Sequence, residues 1–61
     1  MRSAKVNIGH QYLNGKMRRG WYACRVVRRY NHAHLGERID VVLRDGTEID
    51  CCDPQCVREA R

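Results

Sequence analysis

Four cysteines (Cys24, Cys51, Cys52, Cys56) and three histidines (His10, His32, His34) are side chains that can hold a metal or serve as nucleophile and base. Tetrahedral zinc takes such donors, but the spacing opposes a site. No Cys-x-x-Cys pair occurs, Cys52 and Cys56 have three residues between them, and adjacent Cys51 and Cys52 on one strand would point to opposite faces. Catalysis has no better frame, because no nucleophile elbow, phosphate-binding loop or paired-carboxylate motif surrounds these side chains. The expectation is therefore a non-enzyme with no catalytic residue, no metal and no cofactor. Cys24 and Cys51 are expected to act as small core hydrophobes. The chemistry left is that of "GWYACRVVRRY", residues 20–30, where Trp21, Tyr22 and Tyr30 stand among Arg25, Arg28 and Arg29, just after Arg18 and Arg19. Exposed indole beside guanidinium suits a ligand with both an aromatic face and negative charge.

Charge along the chain points the same way. Residues 1–30 carry eight basic residues and no acid, whereas residues 31–61 carry four basic and all seven acidic residues. A net charge of +5 distributed so unevenly makes a field that draws polyanions and speeds their encounter. With 61 residues there is room for one domain, 1–61, and a core too small to enclose a large active site. Phe is absent, so Val, Ile, Leu and Cys must fill the interior, and self-association as a homo-oligomer is one way to add stability. No apolar run reaches the roughly 20 residues of a membrane span, and no signal-peptide core is visible. The expectation is a soluble, cytoplasmic protein with reduced thiols and no membrane partner.

The elements that position these residues read as strands. Val6, Ile8, His10 and Tyr12 alternate with polar residues or glycine, and Asn14-Gly15 signals a hairpin. Residues 21–30 favour a strand with Tyr22, Cys24 and Val26 facing in and Trp21, Ala23, Arg25, Val27 and Arg29 facing out. A loop is expected over residues 31–37. Ile39, Val41 and Leu43 then face the core, Asp45-Gly46 reads as a second two-residue turn, and Thr47, Ile49 and Cys51 face the core on the return strand. Pro54 ends that strand and leaves room for a last one at residues 56–58. No stretch has the three-to-four spacing of a sizeable amphipathic helix. The fold class is all-β: a small five-stranded barrel, in which closure removes exposed edges.

Three stretches resemble the small Src-homology-like barrels of the Tudor and KOW type. "GWYACRVV" is similar to the Tudor Gly, Trp-Tyr, small residue, basic-then-Val strand. "IDVVLRDGTEI" is similar to the hairpin that follows it, and "CDPQCV" to the short helical turn before the last strand. The resemblance spans about residues 5–58 and implies a module that binds RNA, DNA or methylated peptides at one face or end.

Three functions remain on the table. The leading one is nucleic-acid binding, DNA or RNA, with Trp21 as a stacking platform and Arg18, Arg19, Arg25, Arg28 and Arg29 on phosphates; Arg28 has the parity of the inner face, near a rim. The bland reading of the same residues is that Trp21 covers the barrel's open end above a solvated basic surface. The second function is a protein-interaction adaptor holding a peptide, methylated in one version, in a cage of Tyr12, Trp21, Tyr22 and Tyr30 with Asp45 as counter-charge. The third is an enzyme assembled by tetramerisation, as in plasmid-borne dihydrofolate reductases of this size and barrel class, although their Val-Gln-Ile-Tyr signature is absent here.

Overall fold

The computed structural model describes residues 3–59. They form strands β1 (Ala4–Leu13), β2 (Lys16–His32), β3 (Gly36–Leu43), β4 (Glu48–Cys52) and β5 (Val57–Glu59), with one 3-10 turn, Pro54–Cys56, before the last. All pairings are antiparallel and the sheet order is β4-β3-β2-β1-β5. The expected five antiparallel strands are present. β4 and β5 lie at the two edges and are not paired with each other, so the sheet is open.

β2 organises the fold. Its first half pairs with β1 and its second half with β3, and Cys24 takes part in both, opposite Ala4 on one side and Leu43 on the other. The sheet thereby curls until β1 and β3, which share no hydrogen bonds, pack face to face. Ala4, Val6 and Ile8 meet Ile39, Val41 and Leu43 there, with Cys24 and Cys52 completing a single buried cluster. The 3-10 turn touches both β1 and β3 and covers one end. Asp53 caps that turn, its carboxylate accepting from the Gln55 N–H at 2.9 Å, and Pro54 occupies the first position, where no amide donor is needed.

Strict alternation fails at three points, each with an extra residue in one strand. In β1 the slip lies between Asn7 and His10. Gly9 there takes φ +66°, open to glycine at little cost, and its N–H donates to the Asn7 Oδ1 at 2.9 Å. The parity of β1 reverses beyond it. His10 and Tyr12, expected to face the core, are exposed, and Leu13 is half-buried instead. In β2 the extra residue is Val27, which leaves Arg28 opposite Asp40. In β4 the slip falls at Cys51, whose φ of +61° turns its neighbour inward. The buried thiol of this strand is therefore Cys52, and Cys51 is only half-buried.

The turns differ in kind. Asn14-Gly15 is the expected two-residue hairpin turn, with positive φ at both residues and Leu13 opposite Lys16. At the second hairpin Asp45 does not have positive φ. Leu43 pairs instead with Thr47, bonded at 2.8 Å, and Gly46 alone takes φ +90°. This is a three-residue connection, Arg44–Gly46, ending in a glycine bulge. The expected loop over 31–37 contracts to Ala33–Leu35, because the His32 ring accepts the His34 and Leu35 amides and lets both strands run on to it. The last strand begins one residue later than expected, at Val57.

Candidate nucleic-acid interface

Trp21 lies on the outer side of the sheet, 42% exposed and opposite Asn7 in the β1–β2 ladder. The register around it assembles a row that sequence order hides. Lys5 faces Ala23 of β2 on one side and Arg58 of β5 on the other. Arg44, the first residue past β3, continues the same register beyond Ala23, since Leu43 pairs with Cys24. Neighbouring strands are about 4.8 Å apart, so three cations span roughly 14 Å around the small Ala23. The Arg58 guanidinium lies 4.8 Å from the centroid of the Trp21 ring, a cation–π pair at the edge of this row. Among the described residues neither Lys5 nor Arg44 has an ion-pair partner.

The arginines singled out in the sequence divide. Arg19 and Arg25 are exposed. Arg18, expected to reach phosphate, is only 7% exposed and donates to the Asp45 carboxylate at 2.5 Å, 6.0 Å from the Tyr22 ring. Arg18 shares the inward parity of Tyr22 and Cys24 in β2, and the Asp45 carboxylate on the β3–β4 turn holds it there. Arg28 donates through Nε to Asp40 at 2.8 Å and stacks over Tyr30 at 4.5 Å. Arg29 pairs with Glu59 of β5. Lys5, Arg44 and Arg58 were missed because none of them adjoins Trp21 in sequence; only the cross-strand register joins them.

The expected aromatic cage does not come together. Tyr12 stands 69% exposed on the β1–β2 hairpin, opposite Met17, which is also exposed. Tyr22 packs on the core, Tyr30 lies beside Arg28, and Asp45 is held by Arg18. The single ring–ring contact among the described residues joins His32 and His34. No group of three or more potential metal ligands occurs among those residues either. No helix among them is long and apolar enough to cross a membrane.

Behind the second half of β2 lies a polar knot. Asp40 is buried and accepts both Arg28 and the Cys51 N–H, the latter at 2.9 Å, which fixes the backbone at the β4 bulge. These two bonds hold its carboxyl below the usual carboxylate range. Arg18 and the Thr47 hydroxyl and amide do the same for Asp45. In the opposite sense, burial with Cys51 and Asp40 nearby pushes Tyr30 up to about 12, and burial pushes Cys52 up to about 11 from an ordinary 9.0.

The signs set a pH profile. A lowered carboxyl stabilises the fold above its unfolded value, near 4, and that contribution is lost as pH falls through the folded value. A raised thiol or phenol stabilises below its unfolded value and is lost on the way up. Unfolding midpoints should therefore fall below about pH 4 and again between about pH 9 and 11. Asp45→Asn should flatten the acid limb and Cys52→Ala the alkaline one. Unchanged limbs in both variants, followed by denaturant titration across pH, would contradict these assignments. The chain matches no protein-family model, no curated protein and no solved structure.

Proposed function

We propose that this chain is a non-enzymatic module that binds nucleic acid across the outer face of β5, β1 and β2, on a curled sheet akin to the open small barrels of the Tudor and KOW type. The observation that carries the reading is the row of Arg58, Lys5 and Arg44 beside an exposed Trp21. Cations at strand spacing can follow a phosphate backbone, while the indole offers a stacking surface that any base accepts. Arg19 and Arg25 extend the field; Arg18, Arg28 and Arg29 principally hold the fold. The protein acts where polyanions are met, consistent with the uneven charge of its two halves.

Salt provides the test. Three phosphate contacts, one for each cation of the row, give a slope of log K against log salt of about −2 to −3, so affinity should fall on the order of twenty- to fortyfold between 50 and 200 mM. Binding of mixed-sequence oligonucleotides, read by the emission of the lone tryptophan, measures that slope. A slope near zero, or no binding at low salt, removes the reading. The adaptor reading retains one specific support, the exposed Tyr12–Met17 pair on the β1–β2 hairpin, which suits an apolar protein contact. It predicts capture of a protein partner that persists as salt rises.

A further inference from the structure

Three shallow clefts, of about 430, 440 and 420 Å³, open on this side of the protein, and Arg44 lines every one of them. They adjoin: Leu43 is shared by the first and second, Ala23 by the second and third, and Ser3 by the first and third. Their floors are side chains with little polarity, including Val42 and Leu43 in the first and Met17 and Tyr22 in the second. Their rims are cationic, with Lys16 added to Lys5, Arg25, Arg44 and Arg58. Two carboxylates also line the clefts, Asp45 and Glu59, but Arg18 and Arg29 already hold them. Lys5, Lys16, Arg44 and Arg58 present positive charge to a ligand above surfaces that favour flat apolar faces.

Resting on the reading above, we infer that the bound form is an unpaired nucleic-acid strand, laid across Arg44 with its phosphates on the cationic rim and its bases turned down into the clefts. A duplex offers phosphates to the rim but keeps its base faces stacked within the helix, where the apolar floors cannot reach them. A single strand satisfies both parts at once. Arg44 stands where the three clefts meet, so it contacts the strand whichever of them a given base enters. Trp21, under Arg58 at the outer end, adds one further base to the stack.

The full chain titrated with labelled 12-nucleotide DNA and RNA strands, and with the matching duplexes, tests this at about 50 mM salt. Either strand should bind at least about tenfold more tightly than its duplex, and the tighter of the two identifies the sugar chemistry preferred. Arg44→Ala should lower strand affinity about tenfold and duplex affinity far less, and Arg44→Lys should restore only part of the loss. Arg44 is exposed and unpaired among the described residues, so both variants should fold, as circular dichroism would verify. Equal or tighter duplex binding would overturn this inference and leave the nucleic-acid reading standing. No binding by strand or duplex would remove both.

Discussion

Ile39→Ala is expected to leave much of the protein unfolded at room temperature. Ile39 is 2% exposed and, with Val6 and Val41, is among the most completely enclosed side chains. It sits in β3 between Arg29 of β2 and Cys52 of β4, at the point where the two halves of the curled sheet face each other. Truncating a buried isoleucine to alanine costs about 2–5 kcal/mol through lost transfer energy and the cavity left behind. A chain of this length has roughly 3–9 kcal/mol in total, so the loss is a large part of what exists. Among the described residues no second core lies elsewhere to compensate, since the buried apolar ones form one cluster. Ile39→Val should cost only about 1 kcal/mol. Val27→Ala, at the exposed β2 bulge, serves as the reference. Urea midpoints followed by circular dichroism decide the matter, and an Ile39→Ala midpoint no lower than that of Val27→Ala would show that the core does not sit between β1 and β3.

What could be read in the sequence was the pattern that depends on neighbours in the chain. Ile39, Val41 and Leu43 alternate without interruption and lie buried as expected; Trp21 faces outward and Cys24 inward for the same reason. The errors begin at the bulges, because one inserted residue reverses every later side chain in a strand and leaves no mark in composition. Gly9 was a visible cue to the first reversal, but a glycine in a strand serves several ends. Cys51 gave no cue at all: its positive φ is held by the Asp40 side chain, 11 residues away. The candidate site was hidden for a related reason. Charge counting found the basic half, yet Arg44 and Arg58 lie in the acidic half and reach Trp21's side only through pairing across β3, β2, β1 and β5. Net charge per segment describes the field a ligand meets at a distance, whereas the contacts depend on register.

Reversing two charges of the row, Lys5→Glu with Arg58→Glu, is expected to reduce nucleic-acid binding on the order of a hundredfold at low salt. Each phosphate contact contributes roughly 1 kcal/mol or more after desolvation, and each glutamate adds repulsion where attraction stood. The stack between Arg58 and Trp21 is lost as well, so tryptophan emission should change even without ligand. Both residues are exposed on the outer face, Lys5 has no ion-pair partner among the described residues, and their replacement leaves the core untouched. Arg28→Ala with Arg29→Ala removes the same amount of positive charge as simple truncation would, but from arginines that hold Asp40 and Glu59. That variant should lose stability first, with Asp40 left buried beside the strained Cys51 backbone, and its folded fraction should lose only about threefold in affinity, through the Glu59 carboxylate that Arg29 no longer holds. Net charge alone predicts instead that binding tracks the count of cations removed, wherever they stand. If the Lys5/Arg58 reversal and the Arg28/Arg29 truncation weaken binding by amounts proportional to their charge change, the interface is diffuse, and the row beside Trp21 has no special part in it.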